Sequence, residues 1–263
     1  MRLLAAALVA LLVASCGASD SERIVVAAGT TIVDGGLVDR LIDDYLATGA
    51  DVEISVVGAP TAEALELGAR GSADLLITHQ PQLEAAFLRE HPDADAEPVF
   101  ASEFLLVGPP AQQLVEPGTD IIEAVAAIAG AEATFVSRSD GSGTYAKERE
   151  LWGLAGLEPT EDWYIETGQG MGFTLQIADQ RGGFTIAEEG AFLASTPALS
   201  LEVVPTGAVP GLLDNPYRSI VVESGVNRAS TALQQWLVSP AGRSALERAN
   251  ADLFGRVVYR GSR

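Results

Sequence analysis

The clearest chemistry in the sequence lies in a short glycine-rich loop between an apolar strand and a helix. The loop follows the apolar residues 134–137 and runs into a helix that begins at Ser142 or Gly143. Free N–H groups in the first turn of a helix, together with the positive end of its dipole, attract anions. Arg138 adds a guanidinium fork that suits a tetrahedral oxyanion. Ser142 and Thr144 add hydroxyl donors, and Gly143 lets the backbone approach closely, so the loop predicts an oxyanion site.

The same loop also fits a purely structural interpretation. Ser142 would cap the helix, and Arg138 would pair with Asp140 or with a glutamate. Residue types and spacing are compatible with both interpretations, and both stay open at this point.

Two other loops have a similar composition. Thr30 and Thr31 follow an apolar run and lead through glycines into a helix, and residues 167–172 are glycine-rich and open another helix. Ligands of open α/β sheets lie beyond the carboxyl ends of the strands, where such loops occur. Three loops of this kind favour an anion held between two jaws, with backbone N–H groups near Met171 and Gly172 as further donors.

Apolar runs that alternate with helical stretches must position these loops. Strand-like residues 24–27, 52–56 and 73–78 alternate with helical residues 36–46 and 62–69, which predicts a parallel sheet covered by helices on both faces.

A second α/β unit is inserted into the first. Residues 108–110 and 205–216 are rich in glycine and proline, and they punctuate the chain where it would cross between lobes. Between them we expect a helix over 121–129, a strand over 134–137 and helices beginning near Ser142 and Gly170. We therefore expect lobe 1 over residues 16–107 and 217–263 and lobe 2 over residues 108–216.

The N-terminus predicts where the protein works. After Met1 and Arg2, residues 3–14 form an apolar run that is too short to span a bilayer but suits a signal peptide. The run ends in Val-Ala-Ser-Cys-Gly, which resembles the bacterial lipobox, with Cys16 as the residue that receives the lipid. We expect residues 1–15 to be a cleaved signal peptide and the mature chain to be an extracytoplasmic, lipid-anchored protein. The alternative is a buried cysteine in an ordinary apolar helix.

Composition and charge narrow the class of partner. The chain of 263 residues is 48% hydrophobic and carries a formal net charge of −20. This field repels nucleic acid and anionic lipid surfaces, so neither is an expected partner. An anion must then be captured by local donors at short range, because surface charge is screened beyond about 8–10 Å.

The sequence offers little to an enzyme. Its two histidines, His79 and His91, lie without metal-ligand spacing, and neither a nucleophile elbow nor a dinucleotide-binding fingerprint is present. We expect no enzymatic activity, no metal and no cofactor, and we expect both histidines to lie on the surface or at helix ends.

Three segments carry a resemblance to a known family, in the expected order along essentially the whole mature chain. Residues 137–144 read Ser-Arg-Ser-Asp-Gly-Ser-Gly-Thr, and residues 168–172 read Gly-Gln-Gly-Met-Gly. Residues 28–31 read Ala-Gly-Thr-Thr, where the family carries Thr-Thr-Thr-Ser. These segments resemble the tungstate-binding proteins of bacterial ABC transporters, within the type II periplasmic-binding-protein class.

The resemblance implies a type II periplasmic-binding-protein fold, with two α/β lobes joined by hinge strands and a ligand cleft between them. It implies tungstate, or the related molybdate, as the ligand, an ABC permease and its ATPase as partners, and a monomeric chain. The ligand-binding residues that it implies are Thr30, Thr31, Arg138, Ser142, Gly143, Thr144, Met171 and Gly172.

Two alternative functions remain. The loop at Arg138 also resembles the phosphate-binding segment of phosphate-importer binding proteins. Phosphate near neutral pH carries a proton that needs an acceptor, whereas tungstate is fully deprotonated, so the direction of the Asp140 carboxylate bears on the choice. A surface lipoprotein that only senses the anion would share the fold and the site.

Overall fold

The computed structural model describes residues 22–110, 114–160, 162–223 and 227–262. The predicted signal peptide, residues 1–15, and the predicted lipidation site, Cys16, lie outside the described residues. Within those residues, every helix is too short or too polar to cross a bilayer.

Strands and helices alternate along most of the chain. The first half contains β1 (Glu22–Gly29), α1 (Thr30–Asp34), α2 (Leu37–Leu46), β2 (Val52–Ala59), α3 (Thr61–Ala69), β3 (Leu75–Thr78), α4 (Pro81–Glu90), β4 (Asp95–Gly108) and α5 (Ile121–Gly130). The second half contains β5 (Phe135–Ser137), α6 (Gly143–Leu154), β6 (Tyr164–Glu166), α7 (Met171–Arg181), β7 (Thr185–Glu188), α8 (Glu189–Ser195), β8 (Glu202–Val203), β9 (Asp214–Val221), α9 (Arg228–Val238), α10 (Pro240–Phe254) and β10 (Arg260–Gly261). The βαβαβ pattern at the start and the helices expected at Ile121, Ser142 and Gly170 are confirmed.

The parallel pairing expected of the βαβαβ segment is confirmed for β1, β2 and β3, and antiparallel strands extend them into a mixed main sheet. Its strands are ordered β10-β4-β9-β3-β1-β2, and the parallel pairs of this sheet are β1 with β2 and β1 with β3. β9 returns from the far end of the chain and lies antiparallel between β3 and β4. An antiparallel strand can join its neighbour without a crossover helix. The alternation of strands and helices in the sequence therefore does not indicate where β9 lies in the sheet.

One long strand links the two halves of the molecule. From Asp95 to Glu103, β4 pairs with β9, and from Phe104 to Val107 it pairs with β7. β5 and β6 form a parallel pair that a bridge between Phe135 and Phe184 joins to the start of β7. The strands β4 and β9 therefore run side by side at the point where the chain passes from one half to the other.

Each half has its own apolar core. Around β1 and β3 the core is aliphatic, with Ile24, Leu41 and Leu75 buried between the sheet and α2, α9 and α10. In the second half an aromatic cluster of Phe135, Trp152 and Tyr164 lies beneath α5 and α6. The loops predicted to bind an anion lie where these two halves meet.

Candidate anion-binding site

Arg138 is the charged centre of the site. It follows the last residue of β5 and is 1% exposed. Its Nε and Nη2 atoms donate to Oδ2 of Asp140 at 3.1 and 2.5 Å, and Nη2 also lies 3.1 Å from Oγ1 of Thr30. The remaining nitrogen, Nη1, is buried and has no hydrogen-bond partner in the described part of the chain. A buried guanidinium nitrogen without an acceptor is costly, and an anion would satisfy it.

Thr30 brings the first half of the molecule to this guanidinium. It is the first residue of α1, and it follows directly on β1. Its bond to Arg138 joins residues 108 positions apart in the sequence. The structure thus brings Thr30 of the first half and Arg138 of the second half into direct contact.

The start of α6 supplies further donors. Ser142 caps the helix by accepting from the N–H of Tyr145 at 3.2 Å, and its own N–H donates to Oδ1 of Asp140 at 3.1 Å. The N–H groups of Gly143 and Thr144 remain at the open end of the helix, where no helical carbonyl can reach them. The Thr144 hydroxyl is buried, and no described residue accepts from it or donates to it.

Both interpretations of this loop therefore apply at once. The structural interpretation accounts for the Ser142 cap and for the pairing of Arg138 with Asp140. It does not account for Nη1 of Arg138 or for the hydroxyl of Thr144, because a capped helix has no need of unpaired buried donors. These two groups are the part of the loop that the structural interpretation leaves without a role.

The Asp140 carboxylate is turned toward protein donors. Oδ2 accepts from two nitrogens of Arg138, and Oδ1 accepts from the N–H of Ser142. The side chain is 8% exposed. It therefore orients Arg138 and the start of α6, and it has little capacity left to accept a proton from a ligand.

The other predicted site residues, Thr31, Met171 and Gly172, have different surroundings. The Thr31 hydroxyl is fully buried and lies 3.2 Å from the hydroxyl of Tyr217, so it faces the interior behind α1. The Met171 side chain is buried in an apolar core, and only its backbone can face a ligand. Gly172 has open space beside its Cα, and α7, which begins at Met171, lies against α1.

A threonine ties the α7 loop to the Arg138 loop. The N–H of Thr167 donates to the carbonyl of Ser137 at 3.0 Å, and its Oγ1 lies 3.0 Å from both that carbonyl and Oγ1 of Thr174. The loop before α7 therefore moves with the residue that precedes Arg138. This connection makes the two loops one wall of the cleft.

His79 is a site residue that the sequence analysis missed. It follows β3, and its ring is 5% exposed and stacked on the ring of Tyr217 at 4.8 Å. A Cβ added at Gly143 would lie 2.6 Å from Cε1 of this ring, and one added at Gly29 would lie 3.3 Å from its Cδ2. Gly143 is therefore a glycine because His79 packs against it, and not only because an anion approaches the backbone.

A positional signal could have located His79. Since β3 runs parallel to β1 and beside it, the residues after both strands meet at one edge of the sheet. The expectation of a surface position for His79 is wrong, because the start of α6 covers this edge. The expectation of a helix end is met, since His79 precedes Gln80, the N-cap of α4.

The imidazole of His79 is neutral at physiological pH. Burial lowers the pKa of His79 to about 4, and the nearby charge of Arg138 acts in the same direction. The hydrogen bond to Asn215 and the charge of Asp140 offset this only in part. His79 therefore adds no positive charge to the site before a ligand enters, and Arg138 and the helix starts supply it.

Comparisons with known proteins agree with this geometry. A family model described as a PBP superfamily domain matches residues 17–240. The tungstate-binding protein TupA of Peptoclostridium acidaminophilum is 30% identical over 244 residues, which cover 90% of this chain and 84% of that protein.

Two solved structures are also similar. That of the tungstate ABC transporter from Geobacter sulfurreducens has a TM-score of 0.76 at 28% identity and covers 86% of this chain and 98% of its own. That of the tungstate-binding protein TupA from Desulfovibrio alaskensis has a TM-score of 0.72 at 27% identity and covers 92% of this chain and 99% of its own. This chain belongs to the PBP superfamily and, within it, to the family of the TupA proteins.

Proposed function

We propose that this chain is the substrate-binding protein of an ABC importer and that it captures tungstate in the cleft between its two halves. The observation that carries the proposal is the pair of unpaired, buried donors, Nη1 of Arg138 and Oγ1 of Thr144, at the open start of α6. The family's members are solute-binding proteins and not enzymes, and the same holds for this chain. The permease and the ATPase of such an importer would be its partners.

Two lobes would form the walls of the cleft. As expected from the sequence, lobe 1 would comprise residues 16–107 and 217–263, and lobe 2 would comprise residues 108–216. The change of β4 from pairing with β9 to pairing with β7 supports a boundary within this strand, although the change falls at Glu103 and Phe104, slightly before residue 107.

Each lobe would contribute donors to the anion. Thr30 would act from lobe 1, with the N–H of Thr31 behind it. Arg138, Gly143 and Thr144 would act from lobe 2, with Ser142 holding the loop in place and the N–H groups of Met171 and Gly172 closing the side. The direct bond between Arg138 and Thr30 supports this arrangement, because it brings the two walls within the span of one small ligand.

The pairing of Asp140 removes this carboxylate as an acceptor for the proton of hydrogen phosphate, and the size of the anion should separate tungstate from phosphate further. Hydrogen phosphate needs an acceptor for its proton, and both oxygens of Asp140 already accept from protein donors. A fully deprotonated dianion needs donors alone. Molybdate has the same charge and shape and should bind in the same way, whereas phosphate and sulfate are smaller and should bind more weakly.

Titration calorimetry of the purified chain tests this proposal. We expect saturable heat from tungstate and molybdate at one site for each chain, and at least about a hundredfold weaker binding of phosphate and sulfate, or about 2.7 kcal/mol. Tight phosphate binding without heat from tungstate would assign the chain to phosphate import. The absence of binding heat from all four anions would contradict the proposal that this chain binds an oxyanion.

The protein would work outside the cytoplasm, held to the membrane by a lipid on Cys16. Relatives that deliver solutes to ABC importers support the extracytoplasmic location, and the lipobox-like Val-Ala-Ser-Cys supports the anchor. One short acyl-anchored segment would leave the folded part in water beside the bilayer.

Replacement of Cys16 by serine should release the protein from the membrane. The serine hydroxyl cannot take the place of the thiol that receives the lipid, so the C16S chain should appear in the soluble extracytoplasmic fraction. Immunoblots of membrane and soluble fractions measure the distribution, with Ser19→Ala as the control that should remain bound. A C16S chain that stays in the membrane fraction like the wild type would contradict the lipid anchor.

A further inference from the structure

The hydrogen bonds around His79 determine which of its ring nitrogens carries the proton. Nδ1 lies 2.9 Å from Oδ1 of Asn215. The amide nitrogen of Asn215 donates to Oγ of Ser102 and to the hydroxyl of Tyr217, each at 3.1 Å, so Oδ1 is the atom that faces the ring. Since Oδ1 can only accept, Nδ1 carries the hydrogen, and the neutral ring keeps a lone pair on Nε2.

The packing of the ring shows where this lone pair points. Cδ2 is the ring atom closest to the Cβ position at Gly29, and Cε1 is the ring atom closest to that at Gly143. Nε2 is bonded to both of these carbons. It therefore lies between Gly29, which precedes α1, and Gly143, which opens α6, and Arg138 is near enough to shift the pKa of the ring.

A lone pair in this position opposes an anion that has no proton. Tungstate offers only oxygen acceptors, and two acceptors that face each other repel unless a hydrogen lies between them. In the free protein the ring does not hold that hydrogen, because burial and Arg138 keep the pKa of His79 near 4. A bound dianion would counter both causes, since it neutralises the field of Arg138 and accepts a charge-assisted hydrogen bond.

We propose that capture of a fully deprotonated oxyanion is coupled to the uptake of one proton by Nε2 of His79, which then donates to the anion. This inference rests on the proposed function. The proton comes from the solvent, one N–H bond forms at Nε2, and no bond of the anion breaks. An oxyanion that carries its own proton would donate that proton to Nε2, and its binding would take up none.

Four of the charged groups near the His79 ring form ion pairs with each other. Arg138 and Asp140 pair with each other, as do Lys147 and Glu150 at 2.6 Å. The charged or titratable groups around the ring are Arg138 and Asp140 before α6, Lys147 and Glu150 on α6, and Asp214 and Tyr217 on β9. Asp34 on α1 interacts with the charge of Arg138. Of these, Arg138 and Asp140 shift the pKa of His79, and in opposite directions.

The coupling has a defined sign. Binding raises the pKa of His79 from about 4 to a higher value in the complex. Between these two values each anion brings one proton, so the affinity for tungstate rises by up to about tenfold for each unit of falling pH. Above the pKa in the complex neither state holds the proton, and the affinity no longer depends on pH through this group.

Calorimetry of the full chain with sodium tungstate in several buffers measures the proton directly. At about pH 6.5 the binding enthalpy is plotted against the ionisation enthalpy of the buffer, and the slope is the number of protons taken up. We expect more than half a proton for each tungstate, falling toward zero as the pH is raised. Tungstate binding with a slope of zero throughout overturns this inference and leaves the proposed function standing, whereas the absence of tungstate heat overturns the proposed function itself.

Two substitutions at His79 separate its nitrogens. His79→Asn retains a donor near Nδ1 for Asn215 but has nothing at Nε2, and His79→Gln places an amide near Nε2 that donates without titrating. We expect neither variant to take up a proton, and we expect the glutamine variant to bind tungstate more tightly than the asparagine variant. His91→Asn, which changes the histidine stacked on Phe87 outside the site, should keep the wild-type slope. Proton uptake that persists in His79→Asn overturns the assignment to His79, and the wild-type slope remains decisive if a variant does not fold.

Discussion

Replacing Arg138 with alanine should weaken tungstate binding at least about a hundredfold, or about 2.7 kcal/mol. The guanidinium is a buried, full positive charge beside the start of α6, and its Nη1, which has no partner among the described residues, is the donor best placed for the ligand. The same change should also lower the free energy of unfolding by about 3 kcal/mol, because it leaves the Asp140 carboxylate buried without its partner. Calorimetry measures the first effect, and urea denaturation without anion measures the second.

A double variant separates these two effects. In Arg138→Ala with Asp140→Asn, no buried charge is left unpaired, and the asparagine can still accept from the N–H of Ser142. Most of the free energy of unfolding that Arg138→Ala loses should be recovered, while tungstate binding should remain weak. If the double variant bound tungstate as well as the wild type does, the guanidinium would have only a structural role.

Replacing Gly143 with alanine should weaken tungstate binding by about tenfold to a hundredfold. The added Cβ would lie 2.6 Å from Cε1 of His79 and 2.8 Å from its backbone carbonyl, and overpacking of this kind costs about 1–3 kcal/mol. His79 follows β3 in the first half and Gly143 opens α6 in the second, so in the two-lobed arrangement that we propose the overlap would exist only when the lobes are together. The variant should therefore keep the stability of its separate halves and lose the closed state.

Gly153→Ala is the matched control for this substitution. It lies in the same helix, and an added Cβ there has no neighbour within 4 Å. It should bind tungstate as the wild type does and gain slightly in stability, because alanine is a better helix former than glycine. Small-angle scattering with and without tungstate should show compaction in the control and a reduced change in Gly143→Ala. An unaltered affinity in Gly143→Ala would mean that the His79 side chain can move away from the added Cβ without a measurable loss of binding free energy.

Much of the site was predictable because helix starts are local features. The start of α6 follows from a strand, a glycine turn and a serine cap within ten residues, and the start of α7 follows from a similar run. Arg138 could be singled out because it stands beside such a start. The sequence did not predict its bond to Thr30. It predicted only that loops from two lobes would converge on one site.

The features that escaped the sequence depend on distant residues. His79 contacts Asn215, 136 positions away, and its burial is a result of three separate segments that close around it. The first part of β4 reads poorly as a strand, because Glu97 and Pro98 are exposed and no apolar alternation marks it. Its conformation is set by pairing with β9, more than a hundred residues later. The direction of the Asp140 carboxylate likewise depended on whether Arg138 would be buried beside it.

The position of β9 in the sheet has a consequence for when the protein can fold. This strand fills the place between β3 and β4, and it is encoded by residues near the end of the chain. Until Asp214–Val221 has emerged, β3 and β4 lack their common neighbour, and the sheet of the first half is left with unpaired edges. Contacts of such long sequence separation form late. The sheet of a nascent chain would thus stay incomplete until nearly all of the chain has been made, which would suit export in an unfolded state if the proposed signal peptide directs it.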